Sequence, residues 1–332
     1  MSFEEILKED AKSPSQRANE RSQRELADLH RARPPKKASP GAERRWQREQ
    51  RRPPRALLPV LGAEAAGNAS MVDFLFENPL WGRFKDHPSV QSLLEDHSGM
   101  VTRVETSYCH YGYKYQKPSV FIGTLTNLQL SKPCPRNPCI YLTRDEVHPE
   151  RSAECNVAQK NSLPPELIDA IIQAWMDRRP TASAYLLVDV FSGWGSLEKR
   201  IETNWPTLKT FANDWGKRDH TDAQFDMGAE SKLGPEHLVA LAIWKHYREE
   251  VDDVVATDGG AMAWLKNQNI AVLFHCSTPC RTYSTQAIKV HREVNSAIPK
   301  TDAARHDDAM NQALISYFED VVLSLHVEQT RK

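Results

Sequence analysis

LLVDVFSGWGSLEKRIE, residues 186–202, passes from an apolar strand through a turn with two glycines into a helix. In such a unit Gly193 and Gly195 let the backbone approach a ligand closely, and the N-terminus of the helix offers free N–H groups. The plainer alternative is a tight strand-to-helix connection. Working outward, strand and helix patterns alternate: Tyr185–Val190 strand, Ser196–Asn204 helix, Thr207–Asn213 strand, Glu236–Glu249 helix, then strands at Val251–Thr257 and Ile270–Cys276. Ala303–His326 reads as one long helix. Alternation of this kind predicts an α/β fold with parallel strands and crossover helices.

Upstream, MVDFLFENP places an apolar strand from Met71 against an Asn-Pro break, and a helix is expected over His87–Asp96. Val101–Tyr108 and Ser119–Leu125 read as two strands joined by the YGYKYQKP turn. Lys132–Cys155 has no period and is expected to be an irregular excursion, after which Pro164 and Pro165 open a helix running to about Asp177. Residues 1–70 are poor in apolar side chains and hold 15 Lys+Arg against 10 Asp+Glu, while the rest of the chain holds 28 against 34. Such a segment cannot bury enough surface to offset its ordering entropy, so a disordered basic tail is expected. Arg31 to Arg55 carries ten basic residues against Glu43 and Glu49, as suits either a solubilising or targeting tail or a phosphate-binding arm.

The 332 residues allow one sizeable core, assigned to 71–332 and divided into 71–180 and 181–332. No apolar run of about 20 residues and no secretory signal is present, so a soluble intracellular protein without a membrane partner is expected, nuclear in a eukaryote and cytoplasmic otherwise. Six cysteines in this length favour free thiols, metal ligands or catalysis over a disulfide framework. Cys134 and Cys139, with Cys109, His148 and Cys155, could gather a zinc ion; free, partly buried thiols are the alternative.

Asp214 follows the strand TLKTFAN, where open α/β folds bind a ribose hydroxyl pair, and Asp258 occupies the analogous end of the next strand, a candidate for an adenine amino group. Asp222 and Asp226 are less well placed competitors. IAVLFHCSTPCRTYS runs a strand into Thr278-Pro279-Cys280-Arg281; Pro279 fixes a loop presenting Cys280 beyond the sheet edge, and the charge of Arg281 favours thiolate. Cys276 lies within the strand as buried filler, and His110, His275 and His306 are read as packing or surface residues.

These blocks resemble those of the cytosine carbon-5 DNA methyltransferases. FSGWGS after Asp189 looks like that family's cofactor block, and TPCRTYS resembles its Pro-Cys nucleophile loop. FLFENP (Phe74–Pro79) is similar to its Glu-Asn block, and KNSLPPELIDAI (Lys160–Ile171) resembles its late Pro-Pro helix. YGYKYQKPS (Tyr111–Ser119) looks like a degenerate Gln-x-Arg block. The order differs, because the family runs cofactor turn, Pro-Cys loop, Glu-Asn strand and Pro-Pro helix, whereas here the last two come first. A circular permutation explains this, with Arg178–Ala184 as the new joint.

The resemblance implies a Rossmann-like, S-adenosyl-L-methionine-dependent methyltransferase fold and a nucleic-acid partner, DNA being favoured with RNA open. It implies that Cys280 adds to cytosine carbon 6 while Glu77 meets charge near N3, with Asn78 and Arg281 beside them. The base must be flipped out or already unpaired. Cofactor contacts fall to Asp189, Phe191, Ser192, Gly193, Gly195, Ser196, Asp214, Asp258 and Asn161, and substrate contacts to Gln116 and Lys117. Thr278 replaces a usual proline, Val120 stands where a base is expected, and no long target-recognition domain exists. A second reading is therefore a catalytically inactive relative that binds cofactor or nucleic acid as a regulatory or scaffold module.

Overall fold

The computed structural model describes residues 71–135, 139, 148, 150, 161–214, 220–225, 227, 234–249, 260–278, 282–283, 288–293 and 297–323. The basic tail 1–70, the strand expected at Val251–Thr257, and Cys155, Asp226, Asp258, Pro279, Cys280 and Arg281 lie outside the described residues. What is described is an α/β structure with a mixed six-stranded sheet, compatible with a Rossmann-like arrangement.

In chain order the elements are β1 Val72–Pro79, α1 Pro88–Asp96, β2 Thr102–Ser107, β3 Pro118–Gly123, α2 Pro165–Arg178, β4 Ala184–Asp189 and α3 Ser196–Asn204. There follow β5 Lys209–Ala212, α4 Pro235–Tyr247, α5 Ala261–Asn267, β6 Ile270–Cys276, the single turn α6 Ile288–His291 and α7 Asp302–Phe318, which widens into a π turn at Glu319–Leu323. The strand order is β2-β3-β1-β6-β4-β5. β1, β6, β4 and β5 are mutually parallel, whereas β3 runs antiparallel to both β1 and β2. Helix α5 is an addition to the elements expected from the sequence, because a seven-residue helix is too short to show a clear period.

The central strands are buried on both faces, as their continuous apolar runs require. One core packs Phe74, Phe76, Val188 and Phe274 against residues of α1, α4, α5 and α7. The other packs Leu75, Leu187 and Leu273 against α2 and α3, with Trp175 fully buried. Phe318 of α7 stacks on Phe74 at 4.7 Å and meets Phe76 edge-on at 5.6 Å, so this helix is held on β1 by aromatic faces. The end of α2 is fastened to the same strand by charge. Buried Asp73 accepts from Arg179 Nε at 2.7 Å and Nη2 at 3.0 Å, from Arg178 Nε at 3.1 Å and from the Thr124 hydroxyl at 3.0 Å.

Candidate active site

Four parallel strands put four carboxyl ends on one edge of the sheet. At that edge the antiparallel β3 begins, since Pro79 pairs with Ser119, and β2 ends, since Ser107 pairs with Pro118. β5 lies on one side of β4 and β6 on the other, so the connections leaving β4 and reaching β6 diverge between these two strands. In open α/β sheets ligands bind at such a switch point, outside the carboxyl ends.

The glycine turn lies there, directly after β4. Gly193 and Gly195 have φ of +54° and +67°, the left-handed region that side chains disfavour. At Gly195 a Cβ would also meet the ring of His220 at 2.6 Å. Gly195 caps α3 without a side-chain hydrogen bond. Asp214, just past β5, accepts from the Gly193 N–H at 2.8 Å, so the turn and the ribose-candidate carboxylate form one unit. Ser192 reaches His220 through its hydroxyl at 3.3 Å. Ser196 accepts from the Leu163 N–H at 3.1 Å, which draws the loop before α2, with exposed Asn161 on it, against the turn. Phe191 is half-buried on the core.

Asp189 is buried at the end of β4, 3.1 Å from His275 Nδ1. Burial and the charge of Asp189 push the carboxyl of neighbouring Glu198 well above the ordinary carboxylate range. The glycines admit a close backbone approach by a ligand, and an acid stands at the end of the next strand.

Glu77 stands one residue beyond the last β1–β6 pair, Phe76 with Cys276. It accepts from Ser119 at 2.8 Å and Tyr108 at 3.0 Å, with the Ser277 hydroxyl at 3.4 Å and Lys117 Nζ at 3.9 Å. Burial alone would raise this carboxyl. The charge of Lys117, the bonds from Ser119 and Tyr108 and the nearby His275 outweigh burial and hold it below its ordinary value. Asn78 donates to the Thr278 hydroxyl at 2.7 Å, joining the ends of β1 and β6.

Thr278 is thereby fixed, and so is the chain on the far side of Cys280. Thr282 donates to Asp307, and Tyr283 and fully buried Arg292 both reach Asp308. Arg292 also donates to the Thr282 carbonyl at 3.0 Å, and its guanidinium stacks 3.9 Å over the Tyr283 ring. His87 Nε2 approaches Asp308 at 3.8 Å.

Among the substrate candidates Lys117 is at the site, lying over the Tyr108 ring, whereas the Gln116 amide is engaged with the Cys134 carbonyl at 3.2 Å. Asp222 accepts from the Ala212 N–H and from Lys245, which occupies it structurally. Cys276 is buried, and burial raises its thiol well above the ordinary range. Cys134, Cys139 and His148 converge as a metal site would need, and Cys109 joins them. Tyr108, Ser119, Ser277 and Thr278 were not among the residues expected to act. Their signal was present, since all four occupy or follow strand ends at the edge where the acids were placed. No protein-family model and no curated protein matches this chain.

Proposed function

We propose that this chain is an S-adenosyl-L-methionine-dependent cytosine carbon-5 methyltransferase acting on nucleic acid, with DNA as the favoured substrate, and that its segments run in circularly permuted order. The observation that carries this reading is the join at the sheet edge, where ionised Glu77 and its neighbour Asn78 contact Ser277 and Thr278. Cys280 lies outside the described residues; in sequence it stands two positions after Thr278 and two before Thr282.

The permutation is supported by packing. Helix α7 follows β6 and lies on β1, its parallel neighbour, so it occupies the place of a crossover helix between those strands. Taken cyclically from β4, the elements form a run of parallel strands that ends in the β2–β3 pair.

In the reaction the Cys280 thiolate, favoured by the charge of Arg281, bonds to carbon 6 of an unstacked cytosine. The π electrons displaced from the carbon 5–carbon 6 bond build charge at carbon 5 and N3. Glu77 begins ionised and accepts a hydrogen bond from the exocyclic amino group. A proton taken from solvent as the base binds can be shared between this carboxylate and N3 as charge builds there. The Gly193–Gly195 turn and Asp214 would hold S-adenosyl-L-methionine, whose sulfonium would supply an electrophilic methyl group for carbon 5. Loss of the carbon 5 proton to a base and departure of the Cys280 thiolate then restore the ring.

Full-length protein incubated with methyl-labelled S-adenosyl-L-methionine and DNA or RNA should transfer label, and Cys280→Ala should not. DNA containing 5-fluorocytosine should trap wild type covalently. Cofactor binding without transfer to any nucleic acid would replace this reading with the binding-module alternative, and trapping that persists in Cys280→Ala would remove that residue from its role.

A further inference from the structure

We infer that Cys109, Cys134, Cys139 and His148 form a structural zinc site that fastens the excursion after β3 to the end of β2, directly behind the wall that holds Glu77. One ligand atom from each residue lies within 4.8 Å of every other. Cys134 Sγ and Cys139 Sγ stand 3.7 and 3.3 Å from His148 Nε2. For a tetrahedral ion with Zn–S of about 2.3 Å and Zn–N of about 2.0–2.1 Å, sulfur and nitrogen should be about 3.6 Å apart. Cys109 is buried, Cys134 is buried, and Cys139 is partly so, and all three are free thiols.

Three sulfurs and one imidazole nitrogen are the ligand set for zinc, and four such donors close its coordination sphere without an open position. Binding releases up to three thiol protons and leaves His148 neutral, so metal uptake is coupled to proton loss. A clamp is physically useful here. Residues 131–135 have no regular structure, and among the described residues side chains hold their backbone: Cys134 N–H donates to the Ser107 hydroxyl at 2.9 Å, its carbonyl accepts from Gln116 at 3.2 Å, and Ser131 N–H donates to the Tyr111 hydroxyl at 2.9 Å. Cys109 is the residue after Tyr108, which donates to Glu77 and lies beneath Lys117. The metal thereby fixes the turn that positions Tyr108. The described donor set is complete without Cys155, which sequence spacing had grouped with it.

The test is metal content, with no methyl donor involved, so it can fail independently of the proposed reaction. Full-length protein purified from zinc-supplied cells should carry about one zinc per chain by mass spectrometry of the metal. X-ray absorption at the zinc edge should show three sulfur neighbours and one nitrogen. Cobalt(II) exchanged into the protein should give the intense thiolate charge-transfer absorption of a tetrahedral sulfur-rich site. Cys139→Ser and His148→Ala should lose the metal, whereas Cys155→Ser should keep it. If the first two variants fail to fold, zinc released from wild type by a thiol-modifying reagent gives the stoichiometry. Reduced wild-type protein that contains no zinc and takes up no cobalt would overturn the assignment. Loss of metal in Cys155→Ser, or full retention in Cys139→Ser, would overturn the ligand set.

Discussion

Lys117→Met should release Glu77 from the influence that keeps its carboxyl low. Lys117 Nζ stands 3.9 Å from Glu77 Oε1 and 3.4 Å from the Tyr108 hydroxyl, while its stem crosses the Tyr108 ring. Methionine keeps most of that stem and removes the charge. Two unit charges at this separation attract by about 4 kcal/mol at an effective dielectric constant of about 20, and by about 1 kcal/mol in bulk water. Lys117 is 22% exposed, so solvent screening puts the loss toward the lower figure, and about 1 kcal/mol displaces a titration by about 0.7 of a pH unit. The assay is carboxyl-carbon NMR titration of glutamate-labelled protein, with Glu77→Gln assigning the resonance. The Glu77 midpoint should rise. A carboxyl depressed in the folded state adds stability that is present above its unfolded midpoint and is lost as pH falls through the folded one, so the acid limb of stability should also shrink in the variant. A midpoint that stays put or falls would show that the Ser119 and Tyr108 bonds and His275 hold the carboxyl without Lys117.

Three further outcomes follow from described contacts. Arg292→Met should cost about 3–5 kcal/mol in urea unfolding, because it strips a fully buried ion-pair partner from Asp308; it should also reduce 5-fluorocytosine trapping by loosening Thr282 and Tyr283. Burial lowers His87 to about 4, so the unfolded chain binds more protons between about pH 4 and 6.5, and stability should rise by about 3 kcal/mol across that window. Glu319, raised to about 7 by burial and the charges of Asp320 and Asp96, works in the opposite sense over an overlapping window. The wild-type profile minus that of His87→Asn, which keeps an acceptor for the Ser89 N–H, isolates the histidine. Gly193→Ala has room for its methyl, with nothing nearer than the Phe191 carbonyl at 3.8 Å, and should cost about 1 kcal/mol from φ strain. Gly195→Ala drives a methyl into His220 and should cost more. If the turn holds cofactor, Gly193→Ala should weaken S-adenosyl-L-methionine binding in calorimetry by far more than that strain explains, and unchanged affinity would reduce the turn to a tight connection.

Where a segment carries its own period, the sequence was sufficient. Ser196–Asn204 and Ile270–Cys276 fall where the pattern places them, and β1 begins within one residue of its expected start. Strand ends also pointed to one common edge, because parallel neighbours must align their carboxyl termini whatever their order along the chain. Information that depends on partners was illegible. Arg292 and Asp308 form a buried ion pair, and nothing local in the sequence records which charge will be enclosed. Spacing alone did not bring Cys109 to Cys134, Cys139 and His148, because the turn after β2 places it there; Cys155 lies outside the described residues. Gln116 and Lys117 are adjacent and similarly polar, but the end of β3 directs only the lysine to Glu77.

The proposed permutation asks little of the site, because the site depends on which strand ends are neighbours and not on how they are joined. Glu77 meets Ser277 through the parallel pairing of β1 with β6, and that pairing needs no covalent connection between them. The joint leading into β4 is under stronger demand, since it must hold α2 beside a sheet it enters from the far end of the sequence. Asp73 meets that demand. It lies on β1 and binds both Arg178 and Arg179 at the end of α2, so a strand that opens the described chain and a helix that leads to the glycine turn are fixed to each other by one buried carboxylate. Cutting the chain between residues 180 and 183 and linking its present ends should therefore return a folded protein, provided this ion cluster survives. Asp73→Asn in that rearranged chain should destabilise it more than in the present one, because the cluster then replaces a lost peptide connection as well as neutralising charge. Equal losses in both arrangements would show that packing alone holds α2 in place.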